Sequence, residues 1–170
     1  TLNDASELLN VCINIEHSFL GDLDIILIAP DGTQIFLKTF AEGLKNLNIK
    51  FAWIVNGEDG LDEISPYAKT TVMQLKDGQI TEMSIDPKSL NVNAEKFENL
   101  IGDDADFNAK KMIEIFKGQD NDFSKAVCLN AAAGLIVSEK FTKFSEAYTE
   151  ARKHILSGNT YKHLKKIQNA

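Results

Sequence analysis

The sequence predicts an α/β fold: a mixed sheet covered by helices, preceded by an antiparallel β segment. Three observations lead there. Residues 51–55 (Phe-Ala-Trp-Ile-Val) are a short apolar run closed by Asn56-Gly57, the pattern of a buried strand. Residues 69–75 and 79–85 flank Lys76-Asp77-Gly78, where Asp-Gly supplies the positive φ of a tight hairpin. Beyond Asp86-Pro87 the apolar positions recur at helical spacing.

In chain order, residues 8–15 alternate polar and apolar, with Leu9, Val11, Ile13 and Ile15 on one face. Residues 24–28 and 34–37 continue as β-rich runs, and Pro30-Asp31-Gly32-Thr33 reads as the turn of a hairpin between them. A helix is expected over residues 39–47 (Phe40, Ala41, Leu44, Leu47), leading into a strand over 49–55. Behind an acidic cap, Asp103-Asp104, the positions Ala105, Ala109, Met112, Ile113 and Phe116 form one helical stripe. Residues 123–137 are apolar nearly all round, which assigns that helix to the core, with Ala131, Ala132 and Ala133 permitting close approach. Phe144, Ala147, Tyr148, Ala151 and Ile155 mark a further helix stopped by Gly158, and Tyr161, Leu164 and Ile167 line a short last one. A three-stranded sheet is marginal alone, so the opening β segment is expected to join the sheet that holds residues 51–55.

At 170 residues, 44% hydrophobic and 25% charged, the chain suits one globular domain with a real core. Its longest apolar stretches, 25–30 and 131–137, are far shorter than a membrane span, and no charged-then-apolar targeting segment opens it. A soluble, cytoplasmic protein without a membrane partner is expected. The net charge of −7 argues against a nucleic-acid partner; only residues 154–166 are locally basic, as a solvated helix face would be. Cys12 and Cys128 lie far apart in apolar contexts and read as buried thiols, while His17, His154 and His163 form no metal-ligand pattern.

The candidate site is the stretch from Asn56 to Ser65, which sets Glu58, Asp59, Asp62 and Glu63 among glycines. In open α/β sheets ligands gather beyond the carboxyl ends of strands, which puts Asp62 and Glu63 at a ligand site. Adjacent carboxylates suit a hard cation, and magnesium is typically held by one or two of them together with a substrate's phosphates. A solvated acidic turn fits the same residues, and their chemistry alone leaves both readings open. Asp22 and Asp24 are too few to hold calcium and read as exposed strand positions.

Gly57-Glu58-Asp59-Gly60-Leu61-Asp62-Glu63-Ile64-Ser65 resembles the acidic loop of the anthranilate phosphoribosyltransferases of tryptophan biosynthesis. The likeness continues through the Lys-Asp-Gly turn to Ile85-Asp86-Pro87, through Gly102-Asp103-Asp104-Ala105 with Asn108-Ala109, through Leu129-Asn130-Ala131-Ala132-Ala133, and closes at Ser157-Gly158. It covers about residues 39–170 and implies a partial α/β phosphoribosyltransferase domain. It also implies magnesium on Asp62 and Glu63, substrate contacts at Asn56 and Gly57, and phosphoribosyl pyrophosphate (or pyrophosphate) and anthranilate as ligands once the missing half is supplied. The family's Gly-Thr-Gly-Gly-Asp loop and Asn-x-Ser-Thr segment are not in this sequence, so no catalytic residue maps and the chain alone is expected to be inactive or nearly so. Asn56 stands where the family often has His or Ser, and Pro66-Tyr67 where Leu-Thr or Pro-Thr is commoner.

A second resemblance precedes the first. About residues 7–38, on the strength of 15–25 (with His17-Ser18-Phe19-Leu20-Gly21-Asp22) and 27–33 (with Ala29-Pro30-Asp31-Gly32-Thr33), are similar to the opening part of the P domain of proprotein convertases, a β-sandwich. With it the chain divides into 1–38, the β segment, and 39–170, the transferase-like part, as an artificial or recombined chimera would. The alternative function is then a non-enzymatic interaction module, and a homo-oligomer is compatible with either reading.

Overall fold

The computed structural model describes residues 34–169, with side chains from Leu37 onward. Over these residues the order is α1 (Gln34–Asn46), β1 (Phe51–Gly57), β2 (Thr70–Lys76), β3 (Gln79–Ile85), α2 (Ala105–Phe116), α3 (Asp122–Val137), α4 (Phe144–Leu156) and α5 (Asn159–Gln168). Two 3₁₀ turns, Pro87–Leu90 and Phe97–Leu100, join the sheet to α2.

The α/β class is as expected. The described sheet has the order β1-β2-β3 and is antiparallel throughout rather than mixed. Consecutive strands pair with their chain neighbours, so no crossover helix separates them. The β2–β3 hairpin turns on Asp77 (φ 49°) and Gly78 (φ 77°), the two left-handed positions the Asp-Gly pair was expected to supply.

The sheet is covered on both faces because its strands carry apolar residues at both parities. Ile54 pairs with Met73, and together they receive Leu37 and Ala41 of α1, with Phe40, Leu44 and Ile80 packed around them. On the opposite face Val72 and Ile85, flanked by Trp53, Val55 and Met83, pack with Leu129, Ala132 and Ile136 of α3 and with Ala147, Tyr148, Ala151 and Ile155 of α4. Trp53 is tied into this face by an Nε1–H bond to Gln74 Oε1 (3.0 Å) and by its ring contact with Phe144.

Several expectations are corrected. Residues 34–37 are the first turn of α1, not a strand, so the strand expected to follow Pro30-Asp31-Gly32-Thr33 is helical, and α1 runs through the point 38/39 without a break. The β-prone Gln-Ile-Phe-Leu run yields to tertiary packing: as a helix it buries Leu37 one turn from Ala41 on the sheet. The stripe assigned to α2 is also displaced. Ala105, Ala109 and Met112 are exposed and Ile115 is the buried residue; α2 packs mainly against α4 and α5. Of the three successive alanines in α3, Ala132 is buried, Ala133 half-buried and Ala131 exposed. The readings at Leu9 to Asp24, His17, Cys12 and the convertase-like stretch up to residue 33 lie outside the described residues.

Helix ends follow local chemistry. Asp104 caps α2 by accepting from Phe107 N–H (2.8 Å), and Asn121 and Ser124 form a reciprocal capping box on α3. Gly158, at φ 69°, ends α4 in the left-handed conformation, as expected, and at once opens α5. Among the described residues no helix is long and apolar enough to cross a membrane.

Candidate functional site

The acidic loop connects antiparallel β1 and β2, so the rule for parallel strand ends does not locate it; its own hydrogen bonds do. Gly57 N–H donates to Leu61 O (2.8 Å), Gly60 N–H to Gly57 O (3.0 Å), and Glu58 N–H to Lys69 O (2.8 Å). Asp59 closes the turn from inside: its carboxylate accepts from Leu61 N–H (3.3 Å) and from the Ser65 hydroxyl (2.5 Å). Ser65 Oγ in turn accepts from Tyr67 N–H (3.0 Å) and Ala68 N–H (3.1 Å), and Ser65 N–H donates to Thr70 Oγ1 (3.0 Å).

This arrangement explains Gly57. A Cβ there would lie 2.5 Å from Asp59 Oδ1 and 3.2 Å from Leu61 O, so the turn closes only over a glycine. Gly57 is buried as the last residue of β1, and Asn56 beside it is half-buried opposite Thr71. Of the two expected substrate contacts, Gly57 thus shapes the loop through its backbone. No described contact joins Asn56 to Asp62 or Glu63.

With Asp59 consumed internally, Asp62 and Glu63 remain exposed at the tip. Asp62 makes no hydrogen bond or ion pair among the described residues. Glu63 Oε2 accepts one bond, from Asn130 Nδ2 on α3 (3.3 Å). Partial burial, and then the adjacent Asp62 charge, push the Glu63 carboxyl above its ordinary value. The pair therefore holds unneutralised charge on a fixed loop, which favours a cation.

The donor set bears on magnesium directly. Among the described residues no three His, Cys, Asp or Glu side chains gather into a group that could hold a metal by themselves. Two carboxylates fit magnesium only in its usual mode, where substrate phosphates and waters complete the octahedron. Asp62 and Glu63 fit that mode.

Behind the loop lies a second polar centre that the sequence reading missed. Asp122, the first residue of α3 and only 4% exposed, accepts from Asn99 Nδ2 (2.8 Å), Lys125 Nζ (2.9 Å), Glu95 N–H (3.0 Å), Tyr67 OH (3.1 Å) and Lys96 N–H (3.4 Å). Burial alone would raise its carboxyl. The bonds from Asn99, Lys125, Glu95 and Tyr67 outweigh it and hold the group well below the usual carboxylate range. The single Tyr67 hydroxyl proton is shared between Asp122 and Lys96 O, which ties the end of the acidic loop to the 3₁₀ turn Phe97–Leu100. Lys125 leads from this node into an open polar cavity of about 470 Å³ lined by Asn91, Asp120, Tyr148 and Arg152 among others. Neither Asp62 nor Glu63 lines that cavity, and its charged groups are already paired, Arg152 with Asp120 at 2.8 and 3.2 Å.

A family model described as "Glycosyl transferase family, a/b domain" matches residues 33–161. The chain belongs to this family. An anthranilate phosphoribosyltransferase of Pelagibacter ubique is 75% identical over 133 residues, covering 78% of this chain and 40% of that protein. The enzyme of the same name from Petrotoga mobilis is 32% identical over 154 residues, 91% of this chain and 42% of that protein. That match leaves about 16 of the 170 residues uncovered, so it begins at residue 17 or earlier and takes in most of the convertase-like stretch. Among solved structures, the anthranilate phosphoribosyltransferase of Thermus thermophilus superposes with a TM-score of 0.70 at 26% identity, over 79% of this chain and 39% of that one. One from Saccharomyces cerevisiae, in complex with PRPP and Mg, superposes with a TM-score of 0.69 at 22% identity, over 78% and 39% of the two chains. The fold is thus the family's, and the chain spans about 40% of the length of the curated relatives it matches.

Proposed function

We propose that the chain is part of an anthranilate phosphoribosyltransferase, which transfers phosphoribosyl from phosphoribosyl pyrophosphate to anthranilate in tryptophan biosynthesis, and that it carries the magnesium–diphosphate subsite of that enzyme. The observation that supports this best is the pair Asp62 and Glu63: adjacent, exposed, free of cationic partners and mounted on a loop fixed by Asp59, Ser65 and Asn130. A Saccharomyces cerevisiae enzyme of the same fold was solved in complex with PRPP and Mg, the ligand pair that this reading assigns to the site. In this reading Asp62 and Glu63 donate carboxylate oxygens, and the glycine turn keeps both pointing outward. When bound, magnesium offsets the negative charge that develops on a leaving diphosphate. Asn56, at the strand end, is proposed as a neighbouring substrate contact.

Catalysis in such a transfer rests on positioning two substrates, and the chain alone has neither of the substrate-holding segments named above. Alone it is therefore inactive or nearly so, while the metal subsite persists. Calorimetric titration with magnesium and pyrophosphate tests the reading: the wild type gives a saturable heat that Asp62→Ala and Glu63→Ala each diminish. Identical traces for the three proteins remove the subsite.

A further inference from the structure

We infer that Asn130 is the positioning residue of the acidic step: from the middle of α3 its side-chain amide holds the backbone of Ile64 and the carboxylate of Glu63, and so sets how the two carboxylates face. This deepens the magnesium reading and rests on it.

Asparagine is out of place where it stands. Mid-helix it competes with the backbone for hydrogen bonds, and α3 is otherwise one of the most apolar segments of the chain. Its bonds show what it does there. Asn130 Oδ1 accepts from Ile64 N–H (3.0 Å), while the two hydrogens of Nδ2 are shared among three acceptors, Ala126 O on its own helix (3.0 Å), Ile64 O (3.3 Å) and Glu63 Oε2 (3.3 Å). Ile64 is fully buried, so its N–H and C=O must find partners, and a single side chain answers both. The bond to Glu63 goes beyond that need. A staple for Ile64 alone has no reason to reach the neighbouring carboxylate, whereas a group orienting a metal ligand does, as partners behind metal ligands commonly do. Asn130 is also the only described side chain that bonds to either carboxylate of the exposed pair.

The test uses the whole chain, with magnesium and pyrophosphate as the probe. In Asn130→Ala, magnesium affinity is expected to fall about tenfold to a hundredfold, the usual loss when such a partner is removed. Hydrogen exchange should quicken at the Ile64 amide while the amides of Val72 and Leu75 in β2 keep their protection. Unchanged affinity with a quickened Ile64 amide makes Asn130 a structural staple and overturns the inference. The wild type supplies a second readout that needs no variant to fold: the Asn130 side-chain amide resonance should shift as the metal–diphosphate binds. A stationary resonance under saturating calorimetric heat also overturns it. No heat from the wild type overturns the magnesium reading itself, and the positioning role with it, before any variant is compared.

Discussion

Replacing Asp122 is expected to be among the costliest single changes in the chain. Its carboxylate is buried at the start of α3, where the helix dipole favours an anion, and five donors from three separate segments face it, the Tyr67 hydroxyl being shared with Lys96 O. Asp122→Ala removes the acceptor of two backbone N–H groups, the Asn99 amide and the Lys125 ammonium, while the Tyr67 hydroxyl keeps Lys96 O. Breaking one partner of a buried ion pair costs about 3–5 kcal/mol. Glu95, Lys96 and Asn99 are exposed and recover part of that by turning to water, and Lys125 keeps its bond to Asn93 O (2.6 Å). The net loss is then about 3 kcal/mol, a fall in Tm of roughly 6–12 °C for a chain of this size. Urea unfolding followed by fluorescence of Trp53, the single tryptophan, measures it. The sign of the pH dependence follows from the lowered carboxyl. A depressed folded pKa gives stability that is complete above the unfolded value of about 3.9 and is lost as pH falls below it. Asp122→Asn, which keeps the shape and removes the charge, should therefore flatten the acid limb of the stability curve. A loss under about 1 kcal/mol for Asp122→Ala, or parallel acid limbs for wild type and Asp122→Asn, refutes the reasoning.

Three further outcomes are expected. Gly118→Ala should destabilise by at least about 2 kcal/mol in the same assay, because its φ of 98° is left-handed and the new Cβ would sit 2.6 Å from the Leu156 carbonyl oxygen. Cys128, buried in α3 with its thiol pushed up to about 11, mainly by burial, should resist alkylation at pH 8 until the protein unfolds; peptide mapping distinguishes it from Cys12, and equal labelling rates in native and unfolded protein would contradict the burial. Leu129→Ala, at a fully buried position between sheet and α4, should cost about 2–5 kcal/mol, read as a lower urea midpoint at unchanged slope.

Features set by neighbours in sequence were legible in the chain. The Asp77-Gly78 turn, the caps at Asp104 and Gly158 and the core helix α3 each depend on residues within a few positions, and each formed where its signal stood. Residues 34–37 went the other way because a β-prone tetrapeptide is a weak local preference, and burying Leu37 and Ala41 on Ile54 and Met73 decides the matter at a distance. The exposed pair at Asp62 and Glu63 was legible as chemistry, but what fixes it was not. Asn130 lies 66 residues from Ile64 and Asp122 lies 55 from Tyr67, and no periodicity encodes such contacts. The signals that were available are a solitary asparagine within an apolar helix and an aspartate at a helix start beside a capping residue.

Manganese in place of magnesium tests the central claim most directly, because its unpaired electrons broaden the NMR signals of nuclei close to it. With pyrophosphate present, the account expects broadening confined to the amides of residues 57–65 and the Asn130 side chain, abolished in the Asp62→Ala, Glu63→Ala double variant. Broadening centred instead on the other acidic stretch, Asp103, Asp104 and Asp106, or unaltered in the double variant, would contradict it.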